Sequence, residues 1–219
     1  MASASLTAVA ITLSSSGVSA PSEGQGCAAW DITYAVSGNL QLSDTPQGAG
    51  DGTYRVGPGE IVLRRTAGTD RVTMVSFDVP QRFSIDVKKV FWTAVVRTDA
   101  TARAAPPAGA GECGHVAEGA MQEGRVAWTT TVSGFHTDGV VHCDGSLCGQ
   151  FGAPPSGNSG LHIPPHDVQF RPFEFGPDGT TFTMASSFVS RTEEPRQTAH
   201  LALAGREVKR VCAPVAACR

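Results

Sequence analysis

The side chains with the most chemistry are crowded into VSGFHTDGVVHCDGSLCG, residues 132–149, which holds His136, Asp138, His142, Cys143, Asp144 and Cys148. Imidazoles and carboxylates this close in sequence can hold a transition metal, move protons, or simply hydrogen-bond across a hairpin. Asp138-Gly139 is a strong two-residue hairpin signal. A type I′ turn there sets Thr137 opposite Val140, His136 opposite Val141 and Phe135 opposite His142, so the two imidazoles point to opposite faces and cannot share an ion. A three-residue loop would place both on one face, a diagonal apart. The first register is the favoured one, and plain hairpin histidines are the expectation. The alternative is a metal-dependent hydrolase using His136, His142 and a loop histidine such as His166.

Zinc takes three or four N, S or O ligands, and a catalytic ion also keeps a position open. His115, His162 and Asp167 could contribute, but in LHIPPHD the two prolines impose extended geometry. His162 and His166 then lie about 12 Å apart, unlike a ligand pair on one helix turn. Nucleophilic chemistry has less support. GNSGL is not G-x-S-x-G, and it stands in a Gly/Pro-rich stretch instead of a strand–turn–helix elbow. Ser159, His166 and Asp138 could be written as a triad, but no spacing supports it. Asp51 and Asp178 are turn aspartates, and neither has the alternating acids of a calcium loop. No catalytic residue is assigned and no cofactor is expected.

Six cysteines, Cys27, Cys113, Cys143, Cys148, Cys212 and Cys218, form an even set with no C-x-x-C pair. Zinc ribbons and redox motifs need that close pairing, so a disulfide framework and an oxidising compartment are expected. Cys143–Cys148 is the one predicted bridge, because CDGSLC contains a glycine turn; the pairing of the other four is left open. The short ring would contribute about 2 kcal/mol, and a bridge from Cys27 to the C-terminal pair about 5 kcal/mol.

These groups must be positioned by strands. WDITYAV, RVTMVSF, QRFSIDV, RVAWTTTV, TTFTMASSFVS and TAHLALAG all alternate apolar and polar residues, the mark of strands buried on one face. The 25 glycines and 14 prolines fall between these runs and punctuate them with turns. GHVAEGAMQEG is the nearest helical candidate, one or two turns at most. TDATARAAPPAGAGECG (98–114) and CGQFGAPPSGNSGLHIPPHD (148–167) read as two long surface loops. In VQFRPFEF the alternation flips at Pro172, which predicts a bulge or an edge there. Trp30 and Trp128 should pack in the core, Trp92 in a central strand, and the aromatics of 170–175 in a second layer.

The expected fold is therefore all-β, an antiparallel sandwich of ten to twelve short strands with two long loops, with a closed antiparallel barrel as the alternative. Residues 1–26 are expected to be an export signal or unstructured leader, and 27–219 a single disulfide-stapled domain. Val18-Ser19-Ala20 has the small-x-small form of a cleavage site, although no Lys or Arg precedes the apolar stretch Leu6–Leu13. The Ala/Gly/Pro/Arg-rich style is that of a GC-rich bacterial genome. A formal net charge of −3 and no basic cluster give no support for nucleic-acid binding, and no run reaches the ~20 apolar residues of a membrane span. What remains is an exported, monomeric, non-catalytic binding module at the cell surface or outside it, with a glycan or surface protein as partner. A barrel-type lipid carrier is a further alternative.

Overall fold

A computed structural model describes residues 27–44, 50–89, 92–146, 148, 156–189 and 198–213. The expected leader lies outside these residues, as does Cys218. The described chain is all-β: β1 (Ala29–Ser43), β2 (Gly52–Thr66), β3 (Arg71–Lys89), β4 (Trp92–Ala104), β5 (Ala117–Gln122), β6 (Arg125–Trp128), β7 (Val132–Asp144), β8 (Ser156–Val168), β9 (Phe173–Phe175), β10 (Thr181–Val189) and β11 (Thr198–Cys212), with one 3-10 turn at Gly111–Cys113. No α-helix occurs among the described residues, and so none long and apolar enough to cross a membrane.

All eleven strands join one antiparallel sheet in the order β2-β1-β11-β10-β9-β6-β5-β3-β4-β7-β8. A further pairing of β2 with β3 brings the ladder back on itself, while β4, β7 and β8 continue as a wing from the long strand β3. The sheet is folded so that its layers face each other in a sandwich-like way. Phe135 of β7 lies parallel to Phe188 of β10, a strand it does not pair with, at 6.0 Å, and Phe77 of β3 lies 5.5 Å from Phe170, which precedes β9. Between the layers runs a continuous core that includes Ile32, Tyr34, Ile61, Met74, Phe77, Phe170, Phe173 and Phe182. Trp128 is buried in this core and Trp30 packs against it; the side chain of Trp92 lies outside the described ones. A smaller apolar cluster of Val87, Ala94, Cys143 and Cys148 closes the far end of the wing.

Departures from strict alternation have local causes. In β3, Val72 and Met74 face inward, and so do Phe77 and Val79. The parity changes because the β2–β3 register shifts between Val62 and Leu63, leaving Val75 unpaired. At Pro172 the expected break is present. The β9–β10 ladder ends at Thr183↔Glu174, and the chain before it is tied to β10 by the Arg171 N–H donating to Ser186 Oγ at 3.1 Å. Proline has no N–H to extend that ladder.

Three expectations are corrected. GHVAEGAMQEG is not helical. Ala117–Gln122 is β5, and Glu123-Gly124, both at positive φ, turn it into β6. The two long loops are much shorter than they read, since 98–104 completes β4 and 156–167 belongs to β8. Pro164 and Pro165 are tolerated because, among the described residues, β8 is a terminal strand paired on one side only. Most important, Asp138-Gly139 is not a turn. Val132–Asp144 is one continuous strand, paired along β4 on one side and β8 on the other.

Gly139 serves close approach instead, because a Cβ there would collide with Ala100 Cα and Asp99 O of β4. The glycine that bends β7 is Gly134, at φ 64°, where the β7–β8 register shifts. Gly139→Ala should therefore push β7 off β4. It is expected to lower stability by about 1–3 kcal/mol, the usual cost of overpacking, and thermal unfolding measures it.

Candidate functional site

Alternation along β7 sends Phe135, Thr137 and Cys143 inward and leaves His136, Asp138, Val140, His142 and Asp144 on the outer side. On the same side the ladders place Arg103, Thr101, Asp99 and Arg97 of β4 opposite His136, Asp138, Val140 and His142, and His162, Gly160 and Asn158 of β8 opposite Asp138, Val140 and His142. The wing therefore presents a polar outer face whose centre is Asp138. His162 donates from Nδ1 to Asp138 Oδ1 at 2.5 Å. His136 Nε2 approaches Asp138 Oδ2 at 3.6 Å, while its Nδ1–H is committed to the Gly134 carbonyl at 2.9 Å. Beyond them Arg103 donates to Asp78 at 3.0 Å and Arg82 to Asp99 at 2.9 Å.

The hydrogen bond from His162 is the main reason that the Asp138 carboxyl is held below its ordinary value of 3.8, with the charges of His162, His136 and Arg103 adding to it. A depressed carboxyl contributes stability above its unfolded pKa and loses that contribution as pH falls through the folded value. In an NMR titration the Asp138 side chain is expected to show a midpoint below 3.8, moving back up in His162→Ala. Tyr34, by contrast, is a core residue. Its hydroxyl donates to the Gly179 carbonyl at 3.1 Å, and burial pushes it up to about 12, so it takes no part in proton transfer near neutrality.

The candidate metal ligands do not converge: His136 and His142 share the outer side of β7, whereas His166 is paired with the inward-facing Phe135. His136 and His142 are six positions apart on one extended strand, about 20 Å, and not on opposite sides of a hairpin. His142 is occupied by Asn158 Oδ1 at 2.7 Å. His166 donates to the Pro164 carbonyl at 2.9 Å and stands edge-on to Phe135. His115 contacts Glu118 at 3.0 Å and His200 bonds Ser187 at 2.7 Å. Among the described residues no group of three or more His, Cys, Asp or Glu is arranged to hold a metal ion. The triad that could be written is not assembled either: Ser159 donates to the Val141 carbonyl at 3.4 Å, away from both His166 and Asp138.

The link between Asp138 and His162 is not legible in the sequence. Its signal was hidden because 156–167, with its glycines and prolines, reads as loop, and because a turn at Asp138 would remove the strand that faces it.

The five described cysteines are all in disulfides. Cys143 is bonded to Cys148, as expected, and Cys27 to Cys212, with Cα atoms 5.7 Å and 5.5 Å apart. Cys113 is also in a disulfide, and no cysteine is free among the described residues. The expected oxidising, non-cytoplasmic location agrees with this framework.

A second surface feature lies on the outer side of β1, β11 and β10. It is an open cleft of about 590 Å³ whose floor includes Gly38, Ala185, Ala202 and Ala204, with Arg171 and the Arg125–Glu174 pair at its border. It forms beside the ladder break at Pro172.

Comparison with models of protein families, with curated proteins and with solved structures finds no match.

Proposed function

We propose that this chain is an exported, non-catalytic binding module that works as a monomer in the extracellular space or at the cell envelope. It takes a glycan or a surface protein on its outer face. The observation that supports this reading most is how the interior is filled. Phe77, Phe170, Phe173 and Phe182 occupy the space between the layers with at most 2% exposure each, which leaves the outer surface as the place for recognition. That surface offers two candidate areas, the polar wing centred on Asp138 and the cleft beside Pro172. A stapled β scaffold with exposed polar rows suits recognition, since rigid side chains lose little freedom on binding. The dispersed histidines weigh against the metal-dependent hydrolase, and the filled core against the lipid carrier.

A glycan array and an envelope-protein pull-down with the full chain test the proposal, run beside a hydrolase substrate screen. Saturable binding to a glycan or a surface protein, without turnover, is expected. Turnover of a substrate with no ligand in either binding assay would overturn it.

A further inference from the structure

β8 is a terminal strand held by very little apolar burial. Of its described side chains only Val168 is buried, and Ile163 is 42% exposed. Its ladder to β7 is also irregular, with register shifts between Val132 and Phe135 and between Phe135 and Thr137. Among the described side chains, three links fasten its middle to β7 beyond main-chain pairing: His162 to Asp138, Asn158 to His142, and Ser159 to the Val141 carbonyl. Two of the three run through an imidazole.

We propose that His136, Asp138 and His162 form a proton-operated clasp that fastens edge strand β8 to the wing on acidification and loosens it near neutrality. The chemistry follows from where the protons sit. The Nδ1–H of neutral His136 is spent on the Gly134 carbonyl, so its Nε2 faces Asp138 as a lone pair. A proton taken from solvent at Nε2 turns that contact into an ion pair. A proton taken by His162 at Nε2 leaves its Nδ1–H···Oδ1 bond in place and puts a positive charge on the donor, so that the bond to the carboxylate becomes an ion pair as well. Asp138 remains a carboxylate throughout, because its carboxyl is held below the usual range. Imidazoles ordinarily change charge between about pH 5 and 8, and the experiment brackets that range.

The other charged groups on this face do not supply the switch. They are Asp78, Arg82 and Asp86 of β3, Arg97, Asp99 and Arg103 of β4, and Asp144 of β7, all carboxylates or guanidinium groups and none an imidazole. Arg103 opposite His136 is already bonded to Asp78, and Arg82 to Asp99. From β8 the groups beside the cluster are Asn158 and Gly160, which are uncharged, and further along His166, whose Nδ1–H is spent on the Pro164 carbonyl, and Asp167; the Asp138→Asn variant separates their effect from that of the clasp. The His142–Asn158 link survives in either protonation state, since an Nδ1–H can donate in both.

Amide hydrogen exchange on the full, oxidised chain, corrected for the intrinsic pH dependence, tests the clasp. Residues 158–163 are expected to exchange about two- to fivefold more slowly at pH 5.5 than at 7.5, the scale of an exposed ion pair, with β1 and β11 unchanged. Asp138→Asn should abolish the difference. His162→Gln, which keeps a hydrogen-bonding side chain but does not titrate, should shrink it to the small remainder that His136 supplies. A β8 exchange rate that does not respond to pH, or a response that persists in Asp138→Asn, would overturn the proposal.

Discussion

Replacing Cys27 and Cys212 together by serine is expected to remove about 5 kcal/mol of stability. The bond closes a loop with a sequence separation of 185, and in the chain-entropy model a ring of that size restricts the unfolded chain more than any short one. It acts where the folded chain is already aligned. Trp30 stands opposite Cys212 in the β1–β11 ladder, and the Ala213 N–H donates to the Ala29 carbonyl at 2.9 Å. Domains are commonly stable by only about 5–15 kcal/mol, so the double variant should unfold at a much lower denaturant concentration or fail to fold at 37 °C. Cys143→Ser with Cys148→Ser is the internal comparison. Its separation of 5 gives an expected loss of about 2 kcal/mol. Equal losses for the two pairs would show that loop closure is not what the bonds contribute.

Phe182→Ala carries the next largest effect, an expected loss of about 3–5 kcal/mol. The ring is stacked on Phe173 with centroids 4.9 Å apart and planes 9° apart, meets Tyr34 edge-on at 5.1 Å, and lies 5.5 Å from Phe175. These contacts join β10 to β9 and β1, and Gly205 of β11 is kept free of a side chain by the same ring. Truncation would leave a cavity whose walls are held by ladders on several sides, so the site can collapse only in part. Chemical denaturation of Phe182→Ala beside Phe182→Leu reads the effect, with the leucine variant expected to lose less because it refills part of the volume. An alanine variant as stable as the parent would mean that the aromatic cluster is not close-packed.

The strands legible in the sequence are those whose alternation is tied to burial. Ile32, Tyr34 and Val36 on β1, Phe182 and Met184 on β10, and Leu201 and Leu203 on β11 are all inward and buried. The flip at Pro172 was legible for the same reason, because proline removes a ladder donor whatever the fold. Asp138-Gly139 misleads because local and tertiary preferences conflict there. An Asp-Gly pair favours a turn in isolation, but here it sits inside a ladder running from Val95↔Asp144 to Arg103↔His136, and the glycine is required by the backbone of Ala100. Strand β8 was hidden because it buries almost nothing, so it has no apolar rhythm to display. The strand order could not be read at all. Pairings such as Trp30 with Cys212 join residues from opposite ends of the chain, and no local pattern encodes them.

The claim that recognition takes place on the outside of a filled, oxidised scaffold is tested most directly by amide chemical-shift mapping on isotope-labelled protein, using the ligand recovered from the array or pull-down. Expected are shifts in outward-facing residues of β4, β7 and β8, or of the cleft around Ala202 and Arg171, with Phe170, Phe173 and Phe182 unmoved. Shifts concentrated in those three phenylalanines, with the outer face silent, would place the ligand inside the sheet and contradict it.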